Sequence, residues 1–380
     1  MVLVKAKLVL KVDWAGPRPL IPAEGAIDAS CSCLQTACSL SSCSATPEGM
    51  ITQTTTEISG GQTKREMGHG NGTSQTEFVL LGILSQTKLS TISFAVFLSV
   101  SMVALLGNSL LLAVIQVDSS LQTPMYFFLN QLSFMDMCQV LVIVPRTVMA
   151  FVTESKTISL VGCVAQIFLV LNIGGAECLL LAVMSYDRYV AICRPLQYAV
   201  LMRRKLCLVM SASVWISSFH YALMKAIYLL TLSYCGSNVI NHFFCEFHVL
   251  IKLSCSDTSI FETVSLLIGS HLLLLFPFSI IVASYISILL QILRAKHAAE
   301  RSHKALGTCS SHLCVVAIFY GSAILRHLRP ASSYSAERNQ IFAALCTIVT
   351  STVNPFKYSL RNRDVLAALG KLFRKLKILL

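Results

Sequence analysis

Two carboxylates lie deep within long apolar runs of this sequence, where an ionisable side chain is costly and usually serves a function. Asp136 lies about twelve residues, roughly 18 Å, from one end of its run, and Glu177 lies about fourteen residues from the opposite end of the next. Two amides, Asn108 and Asn354, lie in other runs and could complete a polar cluster at this depth. Such a cluster could hold Na⁺ or share a proton, because two close carboxylates do not both ionise unaided. The alternative is a hydrogen-bonded structural core with one carboxyl protonated.

A second polar group, Asp187-Arg188-Tyr189, ends the run that contains Glu177. An Asp–Arg pair at a helix end is either an anchor or a switch whose arginine is released when helices move. Pro355, next to Asn354 in the last apolar run, removes a backbone hydrogen bond and permits a kink.

Seven apolar runs would position these groups, and each is long enough to cross a hydrocarbon core of roughly 30 Å as a helix. The composition agrees, because 55% of the 380 residues are hydrophobic and only 13% are charged, which argues against an ordinary soluble enzyme. Backbone groups in lipid must bond internally, so the runs are helices. We predict an all-α membrane protein, a seven-transmembrane helix bundle, with spans at 92–116, 124–148, 161–191, 206–229, 259–293, 305–325 and 340–360.

The distribution of Lys and Arg predicts the orientation of the bundle. Connections 194–205 and 294–304 each hold four basic residues, and the tail 361–380 holds six. Lys156 and Lys252 stand alone in loops on the other side, although the last loop, with three Arg, weakens the contrast. We therefore expect a multi-pass plasma membrane protein with an extracellular N-terminus, whose net charge of +12 reflects its inner loops and not a nucleic-acid partner.

The segments outside the spans differ in character. Residues 1–66 are rich in Ser, Thr, Gly and Pro, so we expect a disordered N-terminal extension. Residues 67–91 form an extracellular segment with a glycosylation sequon at Asn71, and 92–360 form the seven-transmembrane domain. The cytoplasmic tail 361–380 has apolar residues at helical spacing among basic ones, which predicts an amphipathic helix on membrane lipid.

Several segments resemble, in order and spacing, the signatures of rhodopsin-like G-protein-coupled receptors, and more narrowly of olfactory (odorant) receptors. They are LQTPMYFFLNQLSFMDMC (121–138), MSYDRYVAICRPLQY (184–198), KALGTCSSHL (304–313) and NPFKYSLRNRDV (354–365). The resemblance covers about residues 67–375, so residues 1–66 look like an upstream addition, either an alternative start or a gene-model artefact. Departures from the family pattern include Gln122, Ser185, Leu306-Gly307 and, most notably, Lys357 in place of an apolar residue.

The resemblance implies a receptor that binds a small volatile ligand and activates a stimulatory, olfactory-type G protein to raise cAMP. An endogenous metabolite sensed outside the nose would use the same mechanism. The resemblance also implies the disulfides Cys163–Cys245 and Cys235–Cys255, with Asp136 and Glu177 as the family's intramembrane acidic pair, where Na⁺ could bind. The switch residues it implies are Asp187, Arg188, Tyr189, Tyr285, Asn354, Pro355 and Tyr358.

The implied ligand pocket lies among the outer halves of the third, fifth, sixth and seventh helices. Helical phase and family position suggest Val170, Leu171, Gly174, Gly175, Ser270, Leu273, Tyr320, Ala323, His327 and Thr347. For any one of the apolar members, helix packing is the competing explanation. The expected cavity is mostly apolar with a few hydrogen-bonding groups.

Three other kinds of function fit the sequence less well. A transporter would predict internal repeats or more spans, and an intramembrane enzyme would need a nucleophile or a metal motif such as HExxH, which is absent. The segment 242–248 contains His, Cys and Glu that could bind Cu or Zn. Cys245, however, is the expected disulfide partner of Cys163, so we predict neither catalysis nor a metal.

Overall fold

The long apolar runs form helices in the computed structural model, which describes residues 76–82, 90–153, 156–235, 237–294, 309–310, 312–323, 336–359 and 363–379. The predicted disorder of residues 1–66 and the sequon at Asn71 lie outside the described residues. Among the described residues, five helices are long and apolar enough to cross a membrane. They are α1 (Ser90–Val117), α2 (Pro124–Val152), α3 (Leu160–Cys193), α4 (Arg204–Thr231) and α5 (Ser259–Arg294).

Three further helices complete the described bundle. A shorter apolar helix, α6, spans His312–Ala323. Helix α7 runs through 336–359 in three consecutive pieces, Ala336–Ala344, Leu345–Val349 and Thr350–Ser359. Helix α8 spans Arg363–Leu379. The described helices begin and end within about one turn of the predicted spans, except that the structure describes only part of the sixth.

Local sequence signals explain where α2 and α3 begin. Helix α2 starts at Pro124, after the extended residue Thr123, because a first-turn proline loses no helical hydrogen bond. Helix α3 starts after Ser159, whose hydroxyl accepts a hydrogen bond from the backbone N–H of Gly162 at 3.2 Å. Both signals fix the register of helices that carry candidate functional residues.

Two helices contain a wider π-helical turn, Ser270–Leu275 within α5 and Leu345–Val349 within α7. A wider turn changes the direction in which side chains leave the helix and is frequent at functional sites. Proline kinks are predicted in these helices, but no feature of the sequence predicts the wider turns.

A small three-stranded sheet, which was not predicted, accompanies the helix bundle. Strand β1 (Glu77–Leu80) lies between β2 (Thr157–Ser159), which is antiparallel to it, and β3 (Val239–Ile240), which is parallel. Strands this short give too few alternating positions to be recognised from sequence. Phe78 and Leu80 are fully buried, so the sheet fastens the segment before α1 to two loops of the bundle.

Helix α3 is the central helix, because it packs against α2, α4 and α5. Its two ends mark the two ends of the bundle. The disulfide end is the end of the bundle at which Cys163 begins α3, and the Arg188 end is the end at which Arg188 lies. At the Arg188 end, α8 packs against α1 and buries Val365 and Ala368, as expected for an amphipathic helix.

Candidate functional site

A cavity of about 240 Å³ lies toward the disulfide end, between α3, α4, α5 and the segment 244–248. Seven of the ten residues predicted to bind ligand line it: Val170, Leu171, Gly174, Gly175, Leu273, Ala323 and Thr347. The α3 residues that line the cavity are spaced three and four residues apart, which places their side chains on one face of the helix. Leu273 and Thr347 belong to the two π-helical turns, so both wider turns contribute to the wall.

The other three predicted ligand residues have different positions. Tyr320 is buried beside the cavity without lining it, and its hydroxyl donates a hydrogen bond to the backbone oxygen of Cys178 at 3.1 Å. That contact, between α6 and α3, makes Tyr320 a packing residue in this structure. Ser270 lies on the π-helical turn of α5, and its side chain is outside the described part of the chain. His327 also lies outside it.

Helices α3 and α4 approach each other closely at one side of the cavity. The hydroxyl of Ser218 donates a hydrogen bond to the backbone oxygen of Asn172 at 2.5 Å. A Cβ added at Gly175 would lie 2.6 Å from the same hydroxyl oxygen, whereas a Cβ at Gly174 would meet nothing within 4 Å. Gly175 therefore serves helix packing, and Gly174 leaves open volume.

A segment of the loop after α4 covers the cavity and is fixed to the bundle. Cys245 is joined to Cys163 by a disulfide with a Cα–Cα distance of 5.4 Å. The backbone N–H of Cys245 donates to the Gln166 side chain at 2.9 Å, and the hydroxyl of Thr147 donates to the backbone oxygen of Phe243 at 3.0 Å. The second disulfide joins Cys235 to Cys255, with a Cα–Cα distance of 5.9 Å. Both implied pairings are thus present.

The disulfide bears on the possible metal site at 242–248. Cys245 has no thiolate to offer, and Glu246 lies 3.3 Å from the Nε2 of His242 and accepts a hydrogen bond from the Asn339 side chain at 3.2 Å. Among the described residues, no three His, Cys, Asp or Glu side chains come together as a metal site.

Lys225 on α4 lines the cavity and was not among the predicted site residues. It lies in the fourth apolar run, and only 4% of it is exposed. Its ammonium nitrogen lies 3.8 Å from the ring centroid of Phe247 and 5.2 Å from that of Tyr221, and all three residues line the cavity. An ionisable residue inside an apolar run is the same signal that singled out Asp136, so the sequence did contain it.

The predicted polar cluster lies next to the cavity, and all four of its members are buried. The Asn354 amide donates a hydrogen bond to Asp136 Oδ2 at 2.9 Å, and the Asn108 amide donates to the backbone oxygen of Ser351 at 2.8 Å. One oxygen of each member lacks a protein partner among the described residues: Asn108 Oδ1, Asp136 Oδ1, Glu177 Oε1 and Asn354 Oδ1. Glu177 also lines the cavity, so the two features adjoin.

Asp187 organises the Arg188 end. One of its carboxylate oxygens lies 2.8 Å from an Arg188 guanidinium nitrogen, and the other accepts a hydrogen bond from the Tyr198 hydroxyl at 2.8 Å. Burial and the charge of Asp187 raise the pKa of Tyr198 above its usual range, so this phenol stays protonated and donates. Tyr198 was not a predicted switch residue, although it closes the 184–198 signature.

The remaining switch residues lie on α3 itself and on α5 and α7. The Tyr285 hydroxyl lies 2.7 Å from His312 Nδ1, which links α5 to α6. Tyr189 packs against the apolar cluster around α3, and Pro355 lies within α7. The departure Lys357 contacts the sulfur of Cys314, which links α7 to α6. The side chain of Tyr358 is outside the described part of the chain.

This architecture, a helix bundle with a central α3, a cavity at one end and an Asp–Arg pair at the other, defines a rhodopsin-like receptor. A solved structure agrees on the fold: squid rhodopsin is 19% identical with a TM-score of 0.56, over 75% of this chain and 85% of that one. A family model described as olfactory receptor matches residues 97–375. Human olfactory receptor 2T11 is 46% identical and mouse olfactory receptor 2V1 is 45% identical, each over 79% of this chain and 95% of the relative.

The chain belongs to the olfactory receptor family. It is therefore an odorant receptor, a G-protein-coupled receptor whose partners are a small-molecule ligand and a G protein. The family is one of receptors and not a class of enzymes, and its membrane-spanning helices make this a multi-pass plasma membrane protein.

Proposed function

We propose that an odorant occupies the cavity at the disulfide end and that a stimulatory, olfactory-type G protein binds at the Arg188 end to raise cAMP. The observation that carries this proposal is that one helix serves both regions. On α3, Val170 and Cys178 line the cavity, and Asp187 and Arg188 follow on the same continuous helix. A ligand that prefers one position of α3 shifts the population of states at the other end.

The proposed orientation puts the disulfide end outside the cell. Disulfides form and persist in oxidising compartments, and both lie at this end. The basic connection between α3 and α4, which includes Arg194, Arg203 and Arg204, lies at the Arg188 end, as the excess of positive charge in cytoplasmic loops requires. The N-terminal segment before β1 is then extracellular.

The proposed switch is the release of Arg188 from Asp187. In the arrangement described here, Asp187 holds both Arg188 and Tyr198, which occupies the arginine with an internal partner. A state in which the inner ends of the helices separate would free Arg188 to contact the G protein. Tyr189, Tyr285, Asn354, Pro355 and Tyr358 are the other residues that we propose rearrange with it.

The direct test measures cAMP in cells that display the receptor, against a chemically broad panel of odorants, for the wild type and for Arg188→Ala. We expect a dose-dependent response that Arg188→Ala abolishes at equal surface staining. Lys156→Ala, which removes an exposed cation before β2, is the control and should respond as the wild type does. A displayed Arg188→Ala receptor that signals normally would refute the switch.

We also propose that Na⁺ binds between Asp136 and Glu177, with Asn108 and Asn354 as further oxygen ligands. Support comes from the four buried oxygens that lack protein partners, because hard cations prefer carboxylate and amide oxygens. Na⁺ should raise the melting temperature of the purified receptor relative to choline at equal ionic strength. Asp136→Asn should lose this difference, whereas Asp257→Asn on an exposed loop should keep it. An effect of Na⁺ that survives Asp136→Asn would refute the site.

A further inference from the structure

We infer that the cavity selects odorants that carry a carboxylate, and that the ammonium group of Lys225 binds it. This inference rests on the proposed role of the cavity as the odorant site and adds the chemical class of the ligand. Three observations carry it: the position of Lys225, the absence of a counter-charge bonded to it within the described structure, and the apolar character of the surrounding wall.

Lys225 lines the cavity with its charged group and is almost completely buried. Only 4% of the residue is exposed, and the ammonium nitrogen lies 3.8 Å from the centroid of the Phe247 ring. An aromatic face attracts a cation but replaces only part of the hydration that the cation has lost. The ammonium therefore keeps the capacity to bind an anion strongly.

The acidic neighbours of Lys225 form no ion pair with it in the described part of the chain. Glu246, which also lines the cavity, contacts His242 and Asn339. Glu262 attracts Lys225 electrostatically from α5, but its carboxylate accepts a hydrogen bond from Thr258 at 2.6 Å. A carboxylate brought by a ligand would form the direct ion pair with Lys225 that these residues do not form in the described structure.

Glu177 and Glu246 also line the cavity, but its aliphatic wall fits a small acid with an apolar chain. Ile167, Val170, Leu171 and Leu273 line the same cavity, and its volume of about 240 Å³ is below that of sites for drug-sized molecules. An acid of this kind would bury its chain against the aliphatic wall and place its carboxylate at Lys225. The matching alcohol would fill the same volume and leave the ammonium without a counter-ion.

The test compares straight-chain carboxylic acids of increasing length with the alcohols and aldehydes of the same chains, by cAMP response at equal surface staining. The wild type should respond to at least one acid at a concentration on the order of tenfold or more below that of its alcohol, as expected for a buried charge-assisted contact. Lys225→Met keeps the length of the side chain and should remove this preference. Lys225→Arg should retain it, and so should the control Lys156→Met, which removes an exposed lysine.

A second readout separates this inference from the proposed function. The acids should raise the melting temperature of the purified wild-type receptor and should not raise that of Lys225→Met, whether or not signalling occurs. Responses to neutral odorants that require Arg188, without any preference for acids, would overturn the inference and leave the proposed function standing. An acid preference that persists in Lys225→Met, or a preference for aldehydes over acids, would also overturn it. If Lys225→Met is not displayed on cells, the comparison of acid with alcohol in the wild type and in Lys225→Arg still decides the question.

Discussion

The two ends of the bundle are held together by different kinds of bond. At the disulfide end, two disulfides and a three-stranded sheet fasten the loops to α3 and to the segment before α1. At the Arg188 end, α8 packs on α1 through apolar residues, and the described polar contacts between segments are hydrogen bonds and ion pairs, such as Tyr198 with Asp187 and Tyr285 with His312. Contacts of the second kind contribute about 0.5–3 kcal/mol each and can be exchanged for others.

This difference indicates where the receptor can move. A covalently fastened end keeps the ligand cavity in shape, and an end held by exchangeable contacts can adopt a second arrangement at low cost. Odorant binding need then supply only the small free energy that distinguishes the two arrangements of the Arg188 end. Substitutions at the two ends should therefore have different effects.

Removal of the long disulfide should have the largest effect. Cys163→Ser should lose most surface display, because loss of a native disulfide typically costs about 2–5 kcal/mol. Cys235→Ser should be milder by about 1 kcal/mol, because its disulfide joins residues 20 apart in sequence, against 82 for Cys163 and Cys245. Surface staining and melting temperature measure both. Cys193→Ser, which changes a free cysteine at the other end of α3, is the control, and equal losses in all three variants would contradict the account.

The adjacent glycines of α3 should separate packing from cavity volume. Gly175→Ala places a Cβ 2.6 Å from the Ser218 hydroxyl and should destabilise the receptor by about 1–3 kcal/mol. Gly174→Ala meets nothing within 4 Å, so it should leave stability unchanged and weaken the response only to the larger ligands that the cavity accepts. Melting temperatures and odorant dose–response curves test the pair. Equal melting temperatures would show that α3 and α4 are not as closely packed as described.

Loss of the contact between α8 and the loop that joins α1 to α2 should have the smallest effect. Hydrogen bonds from Ser120 and the ion pair with Lys371 hold the pKa of Asp118 at about 2, below its ordinary 3.8. Their contribution is complete above the unfolded pKa and is lost as the pH falls through about 2. Asp118→Asn should therefore lower the free energy of unfolding by no more than about 1 kcal/mol at any pH between 5 and 8. This loss would appear as a small fall in the melting temperature.

The same Asp118 comparison has a second part at lower pH. The difference between wild type and Asp118→Asn should shrink as the pH falls from about 4 toward 2. A difference that grows on acidification would mean that Asp118 is not held in its charged form.

Most of the helices and much of the cavity could be predicted because their signals are local. Long apolar runs give helices, and helical spacing together with the family resemblance predicted Val170, Gly174 and Gly175 as residues of one ligand-facing wall. The three strands could not be predicted, because each depends on a partner distant in sequence. The π-helical turns gave no sequence signal, and they decide which side chains of α5 and α7 point into the cavity.

Two residues show what the sequence does not reveal about the sites. Tyr320 is predicted to contact ligand, and its hydroxyl donates a hydrogen bond to the Cys178 backbone, a contact that sequence spacing does not reveal. Lys225 was not predicted as a site residue, although it is an ionisable residue within an apolar run. An ionisable residue within a membrane span is costly, so Lys225 is a functional candidate on the same grounds as Asp136.

The most direct test of the account asks whether Asp187 holds the Arg188 end in its inactive arrangement. We would measure cAMP without odorant in cells that display Asp187→Asn, which keeps the shape of the side chain and removes the charge that pairs with Arg188. The account predicts a higher basal cAMP than in the wild type at equal surface staining, and silence in the double variant Asp187→Asn/Arg188→Ala. Basal cAMP at or below the wild-type value in a well-displayed Asp187→Asn receptor would contradict it.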